Sequence, residues 1–64
     1  MLKQSDYRFV NLPENEANAL AAENDLTTRV VHRDGEDFIV TADIRPDRIN
    51  FSVRDGVVFE ASIY

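Results

Sequence analysis

The sequence predicts a small α+β domain, with one helix packed on a mixed parallel and antiparallel sheet and a long exposed loop between two of the strands. Three observations lead to this fold class. Residues 14–23 are mostly good helix formers. Residues 48–53 alternate strictly between polar and apolar side chains, and Asp55-Gly56 shortly afterwards is a strong hairpin signal. Roughly twelve residues separate this strand from an earlier β-prone run, which is enough for the two strands to pair in parallel.

Length and composition limit the chain to a single domain, residues 1–64. Its 64 residues lie near the lower size limit for folding on a hydrophobic core, and its 44% hydrophobic content is typical of a globular protein. The sequence contains no cysteine, so packing alone must hold the fold. Seven basic residues against twelve acidic ones give a net charge of −5, which disfavours nucleic acid as a partner.

No segment of the sequence indicates membrane insertion or export. No apolar run reaches the ~20 residues of a transmembrane helix, so no membrane partner is expected. The start, MLKQSDYRFV, lacks the apolar core of a signal peptide. These features predict a cytoplasmic location, or a secreted or periplasmic one if the chain is a mature form.

The first quarter of the chain predicts an edge strand and the start of the helix. Tyr7–Val10 is a short β-prone run. Pro13 suits the first position of a helix because its φ is fixed and its missing N–H is not needed there. Glu14 and Glu16 place negative charge at the positive end of the helix dipole.

The helix presents a narrow face of small residues and is followed by a strand. Spacings of three and four residues put on one face Ala17, Leu20, Ala21 and Asn24. Such a face lets the helix lie close to a sheet. Asn24-Asp25 is the predicted helix stop, since asparagine tolerates the left-handed conformation. Thr27–His32 is β-branched and mostly apolar, which predicts a strand.

The second half of the chain predicts a turn, a long loop and a hairpin. Asp34-Gly35 indicates a turn, and residues 36–47 show no periodic pattern. Arg48–Val53 forms the alternating strand, and Val57–Ile63 returns after the hairpin turn. The face beneath the helix is expected to hold Ile49, Phe51 and Val53, with Leu20 from the helix. The opposite face is expected to hold Arg48, Asn50 and Ser52.

The long loop is too apolar for disorder. Its apolar members are Phe38, Ile39, Val40 and Ile44. Packing all of them inward would bury unpaired backbone groups. A loop of this length in so small a domain is usually functional or disordered. We therefore expect a loop that presents side chains to a partner, is stiffened by Pro46 and is braced from below.

Arg48 and Asn50 are the candidate braces because they start the strand on the face away from the helix. Arginine offers five donors, and asparagine offers two donors and an acceptor. From this position they can reach Thr41, Asp43 and the loop carbonyls. Two interpretations stay open for each residue. Arg48 either holds the loop or forms a surface ion pair with Asp43 or Asp47, and Asn50 either joins the brace or faces solvent.

The segment VTADIRPDRINFSVRDG, residues 40–56, resembles the reactive loop and following strand of the potato type I serine-protease inhibitors. It is most similar to their small bacterial relatives without disulfides. NLPENEANAL resembles the helix start of that family, and RVVHRDGEDF resembles its strand leading into the loop. The resemblance covers roughly residues 9–61, and its core pattern, R-P-D-R-hydrophobic-N, is fairly specific.

The resemblance implies a protease inhibitor rather than an enzyme, with no cofactor and no metal. The long loop would be a reactive loop that binds a serine protease like a substrate, with Ala42–Asp43 as the reactive bond. Ahead of that bond lie Ile39, Val40 and Thr41, and after it lie Asp43, Ile44 and Arg45. Arg48 matches the loop-supporting arginine of the family, whereas plant members usually carry a second arginine at the position of Asn50. Because Ala42 is small, the expected partner is a subtilisin-like or elastase-like protease.

The alternative hypothesis is a non-inhibitory protein-interaction module with the same fold, acting through an edge strand or its acidic surface. No constellation of residues supports catalysis. His32 lacks a cysteine or a second histidine beside it, which disfavours a metal site. The loop aspartates do not have the spacing of a calcium loop.

Overall fold

A computed structural model describes residues 4–38, 40 and 43–64 of the chain. Within them the elements are, in order, β1 (Gln4–Ser5), a 3-10 helix (Tyr7–Phe9), α1 (Glu14–Glu23), β2 (Thr27–Arg33), β3 (Glu36–Asp37), β4 (Arg48–Arg54) and β5 (Val57–Ile63). The strands form one sheet in the order β1-β5-β4-β2-β3. β2 and β4 are parallel, and the three remaining neighbouring pairs are antiparallel. The predicted α+β class, one helix with a small mixed sheet, is confirmed.

The prediction of an edge strand at Tyr7–Val10 is wrong, because a local side-chain bond favours a 3-10 helix there. The Asp6 carboxylate accepts a hydrogen bond from the Arg8 backbone N–H at 3.1 Å and caps this turn. The turn carries Phe9 into the core, where it is fully buried. The edge strand is instead β1, which pairs with β5.

α1 has the predicted bounds, but the roles expected of Pro13 and Asn24 at its two ends are shifted by one position. Pro13 caps the helix with φ −56° and ψ 146°, and Glu14 is the first helical residue. At the other end, Asn24 caps the helix with φ −106°, and the left-handed conformation falls on Asp25, with φ 58°. Short polar residues tolerate this conformation, so the physical reason for the stop still holds.

The core lies between α1, the 3-10 helix and one face of the sheet. Its members, each at most 1% exposed, are Phe9, Ala17, Ala21, Ile49, Phe51, Val53, Val58 and Ala61. The expected positions of Ile49, Phe51 and Val53 are therefore confirmed. Leu20, expected in the core, lies at its margin and is partly buried. The rings of Phe9 and Phe51 are 5.4 Å apart between centroids, so the 3-10 helix supplies bulk that the alanine face of α1 lacks.

Two tight turns and two bulges set the register of the sheet. The predicted turn at Asp34-Gly35 and the predicted hairpin turn at Asp55-Gly56 both have positive φ at both residues, as two-residue turns between antiparallel strands often do. The first turn leads into β3, so the first two residues of the segment predicted to be a loop form a short strand. The β2–β4 pairing shifts between Val30 and His32, and the β4–β5 pairing shifts between Ser52 and Val53.

Three polar residues of β4, Arg48, Asn50 and Ser52, are buried although they point away from the helix, whereas Arg54 at the end of the strand is exposed. Arg48 is 8%, Asn50 2% and Ser52 6% exposed, since β2 and β5 flank this strand on both sides. The solvent-facing alternative for Asn50 is therefore wrong. Among the described residues, no helix has the length and apolar character needed to cross a membrane.

Candidate functional site

The predicted loop is described in part. Three of its predicted site residues lie outside the described residues, namely Ile39, Thr41 and Ala42. The other four are exposed, namely Val40, Asp43, Ile44 and Arg45. Val40 is 38% and Ile44 45% exposed, which is high for aliphatic side chains. The reactive bond and the long exposed loop as a whole stay predictions.

Strand β2 holds both ends of the segment that contains these residues. On one side of β2, the Phe38 N–H donates to the Val31 carbonyl at 3.0 Å. On the other side, the Asp47 carbonyl accepts from the Thr27 N–H at 2.8 Å and from the Thr27 hydroxyl at 3.2 Å. Thr27 and Val31 are about 13 Å apart along an extended strand. The segment therefore starts and ends on a rigid element.

Arg48 links the loop to the end of β5. Its Nη2 donates to the Asp43 carbonyl at 2.9 Å and to the Tyr64 carbonyl at 2.9 Å, and its Nη1 donates to the Asp43 carboxylate at 3.3 Å. The Arg48 side chain is only 10% exposed, whereas that of Asp43 is 51% exposed. The guanidinium thus makes the ion pair with Asp43 that the sequence left open, but from a buried position and with a main-chain bond in addition.

Both polar atoms of the Asn50 side-chain amide form hydrogen bonds. Its Oδ1 accepts from the Arg29 Nε at 2.7 Å, and its Nδ2 donates to the carbonyls of Ser62 at 3.1 Å and Tyr64 at 3.4 Å. These bonds run to the neighbouring strands and to Tyr64, and none of them reaches a described loop residue. The Tyr64 carbonyl accepts from both Arg48 and Asn50, so the two candidate braces share one acceptor.

Sequence reasoning missed Arg29. It lies on β2 directly beside Asn50 in the parallel register, and its guanidinium carbon is 5.7 Å from the centre of the Tyr64 ring. The available signal was the parallel pairing of β2 with β4. Paired residues of neighbouring strands point to the same face of the sheet, so this pairing puts Arg29 on the face of Asn50. Without the register, the strand TTRVVH gives no reason to select its arginine.

A second ion pair lies between Arg45 and Asp47, shortly before β4 begins. Arg45 donates from Nε and Nη2 to the two carboxylate oxygens of Asp47, each at 3.2 Å. This hydrogen bonding holds the pKa of Asp47 below its ordinary value and raises the pKa of Arg45. Both side chains are about half exposed, so the pair contributes little to stability. It links the two residues on either side of Pro46.

His32 and Asp37 form a pair that superficially resembles part of a catalytic triad. The His32 Nδ1 lies 2.6 Å from the Asp37 carboxylate, and Ser52 is the neighbour of His32 across β2 and β4. However, the His32 Nε2 accepts the Gly35 backbone N–H at 3.3 Å. A general base needs that nitrogen for the serine hydroxyl. The pair therefore fixes the turn after β2, and no metal-binding group of three His, Cys, Asp or Glu occurs in the described ranges.

A groove of about 530 Å³ lies on the sheet face opposite the helix. Its lining residues are Val31, His32, Asp37, Phe38, Ser52, Arg54, Phe59, Glu60 and Tyr64. The rings of Phe59 and His32 are nearly perpendicular, with centroids 5.8 Å apart, and the Arg54 guanidinium lies 4.7 Å from the Phe59 ring centre. Sequence reasoning did not select this surface, because its residues come from four strands whose order and register the sequence does not give.

No protein-family model and no curated protein matches the chain. Its function must therefore be argued from the side chains that the fold brings together. It brings Arg48 to the main chain of Asp43 and Tyr64, and Arg29 to Asn50 beside them. This arrangement can hold a short exposed segment in one conformation, but it offers no paired nucleophile and base among the described residues.

Proposed function

We propose that this protein is a serine-protease inhibitor that binds its target through residues 39–45 in a substrate-like conformation, with Ala42–Asp43 as the reactive bond. The observation that carries the proposal is the bond from the buried Arg48 to the Asp43 carbonyl, at 2.9 Å. It anchors the main chain immediately after the proposed reactive bond, while the Asp43 side chain stays about half exposed. The resemblance of residues 40–56 to inhibitor reactive loops supports the same assignment.

Preorganisation is the physical basis of such inhibition. A flexible peptide that binds a protease loses roughly 0.5–1.5 kcal/mol for each side chain that it immobilises. β2 holds the main chain at Phe38 and Asp47, and Arg48 holds it at Asp43, so these points have already lost this freedom on folding. An extended segment also forms main-chain hydrogen bonds with its partner, as an added strand does. The loop therefore binds more tightly than the same peptide cut from the protein.

The same bonds oppose hydrolysis after the bond is cut. Attack by the protease serine on the Ala42 carbonyl would give an acyl-enzyme and a new amino group on Asp43. Arg48 holds Asp43 through its carbonyl, so the amine stays close to the ester. It can attack the ester carbon, expel the serine oxygen and restore the peptide bond faster than water reacts. The protein is then a slow substrate that occupies the enzyme.

The predicted loop residues define the class of protease. Ala42 would fill the primary pocket, and its single methyl group suits the small pockets of subtilisin-like and elastase-like enzymes. Ile39, four residues before the bond, suits a subtilisin-like enzyme with an apolar outer subsite. Trypsin-like enzymes are poor partners, because their primary pocket selects a cationic side chain.

The test is a titration of subtilisin, elastase and trypsin with stoichiometric amounts of the protein, followed as progress curves. We expect tight, long-lasting inhibition of subtilisin or elastase and weak inhibition of trypsin. Mass spectrometry of the same mixtures should find a single slow cut between residues 42 and 43. Rapid degradation at several sites, or no loss of activity in any of the three enzymes, would count against the proposal.

One observation favours a non-inhibitory interaction module as the second candidate. The groove on the sheet exposes Phe38 and Phe59, 40% and 39% respectively, beside charged side chains. An edge strand is less suited to binding, since β1 and β3 have two residues each in the described chain. If the three proteases are unaffected, this groove becomes the surface to test, with Phe59→Ser as the first variant.

A further inference from the structure

Arg29 occupies a position from which it can control the orientation of the Asn50 amide. Its Nε donates to Asn50 Oδ1 at 2.7 Å, the shortest of the bonds that Asn50 makes. Asn50 is only 2% exposed, so water cannot replace a lost partner easily. With Oδ1 bound to Arg29, Nδ2 must face the carbonyls of Ser62 and Tyr64. A rotated amide would place an oxygen against those two oxygens.

The oriented amide acts on Arg48 through one atom, the Tyr64 carbonyl oxygen. This oxygen accepts from Asn50 Nδ2 at 3.4 Å and from Arg48 Nη2 at 2.9 Å. The same Nη2 donates to the Asp43 carbonyl at 2.9 Å. The bonds therefore form a continuous chain from Arg29 on β2 to the loop. Arg29 also contacts the other end of Tyr64, since its guanidinium lies 5.7 Å from the ring centre.

We infer that Arg29 is a second loop-positioning residue, which fixes Asn50 and Tyr64 so that Arg48 holds the Asp43 carbonyl. The effect of Arg29 on inhibition rests on the proposed function, whereas its effect on the mobility of the loop does not. Arg29 itself lies on the strand that anchors both ends of the loop. β2 thus carries Thr27 and Val31, which bond the two ends of the loop, and Arg29, which starts the chain of bonds.

The test compares Arg29→Met with Arg33→Met. Methionine keeps much of the apolar stem and removes the guanidinium. Arg33 lies on the same strand and forms an ion pair with Glu14 at 2.6 Å, outside the chain of bonds. Both variants therefore lose a guanidinium and a hydrogen-bonded partner from β2, but only Arg29→Met disconnects Asn50. Circular dichroism and a thermal melt establish that each variant is folded.

Two readouts are measured on the folded variants. The first is the backbone mobility of residues 43–45, from ¹⁵N relaxation and amide hydrogen exchange in the free protein. The second is the inhibition constant and the rate of loop cleavage with subtilisin. We expect Arg29→Met to raise the mobility, to weaken inhibition about tenfold and to speed cleavage by a similar factor, because it loses one charge-assisted bond. Arg33→Met should change each of these less than twofold.

A second pair of variants distinguishes orientation of the amide from simple charge pairing. Asn50→Asp offers Arg29 a stronger, charged acceptor, but it turns carboxylate oxygens towards the Ser62 and Tyr64 carbonyls. If the orientation of the amide matters, Asn50→Asp loosens the loop. If only charge pairing matters, Asn50→Asp tightens the loop, and this result overturns the inference. Arg29→Lys keeps the charge but not the Nε donor, and it replaces Arg29→Met in the comparison if that variant is unfolded.

The outcomes separate the inference from the proposed function. Equal loop mobility in Arg29→Met, Arg33→Met and the wild type overturns the role of Arg29. If the wild type inhibits no protease, the proposed function fails, and the mobility measurements alone decide the inference. Looser loops in Arg29→Met and Asn50→Asp, with a rigid loop in Arg33→Met, support it in either case.

Discussion

Replacing Arg48 with alanine should separate inhibition from stability. Arg48 makes two hydrogen bonds to main-chain carbonyls at 2.9 Å and one to a carboxylate at 3.3 Å. Its neighbours Ile49 and Phe51 are fully buried and are untouched by the change. The two carbonyls belong to Asp43 and Tyr64, which are not fully buried and can be hydrated after the loss.

The cost to folding follows from this hydration. Because Arg48 is buried, its loss should cost more than the ~1 kcal/mol of an exposed ion pair, and about 2 kcal/mol is reasonable for a charged hydrogen-bonding group. A domain of this size has roughly 3–10 kcal/mol of stability. We therefore expect Arg48→Ala to be folded at 25 °C, with a lower midpoint in a urea melt.

The cost to inhibition should be larger. Two of the bonds from Arg48 reach the loop, one to the Asp43 carbonyl and one to the Asp43 carboxylate. At about 1.5 kcal/mol for each of these bonds, the loop loses about 3 kcal/mol of support, which corresponds to about a 100-fold weaker inhibition constant. The assay measures inhibition of subtilisin and, by mass spectrometry over hours, cleavage between Ala42 and Asp43. Arg54→Ala is the control, since this exposed arginine lies at the other end of the same strand. If Arg48→Ala inhibits as tightly and for as long as the wild type, Arg48 does not support the loop.

Three further predictions concern specificity, the core and acid stability. Ala42→Lys should shift inhibition towards trypsin and Ala42→Leu towards chymotrypsin; if enzyme assays find unchanged preferences in both, Ala42 does not enter the primary pocket. Phe51→Ala should destabilise the domain by roughly 3–5 kcal/mol, because the ring is fully buried against Phe9, and a denaturant melt equal to that of the wild type would contradict this. The hydrogen bond from the Arg8 side chain lowers the pKa of Asp6, so this carboxylate stabilises the fold above its ordinary pKa and loses that contribution as the pH falls below about 4. Melting temperatures between pH 6 and pH 2 should accordingly decline less in Asp6→Asn than in the wild type.

Local signals were sufficient for most of the secondary structure. The bounds of α1 and β5 agree with the sequence, since helix formers, strict alternation and Asp-Gly turns each act over a few residues. The prediction of an edge strand at Tyr7–Val10 failed, because the β propensity of these residues is weaker than two other effects. These are the Asp6 cap and the burial of Phe9, and only the second of them requires the whole fold.

The contacts of the candidate site could be predicted only in part. Alternation correctly put Arg48 and Asn50 on the face away from the helix, and the reach of Arg48 to Asp43 followed from their closeness in sequence. The burial of both residues and the bond from Arg29 did not follow, because they depend on which strands flank β4 and in what register. The contact with Tyr64 depends on the register of β5 against β4, which shifts between Ser52 and Val53 and which the hairpin signal does not predict.

The most direct measurement tests whether the cut loop can be resealed. Wild-type protein cleaved between Ala42 and Asp43 is purified, freed of protease and incubated with a catalytic amount of subtilisin, and mass spectrometry follows the return of the intact mass. If the bonds to Arg48 hold the new amino terminus beside the acyl-enzyme, intact protein accumulates from the cleaved form, and it does so more slowly and to a lower level in Arg48→Ala. Cleaved protein that stays cleaved, or is degraded further at other bonds, would contradict the proposed inhibitory mechanism.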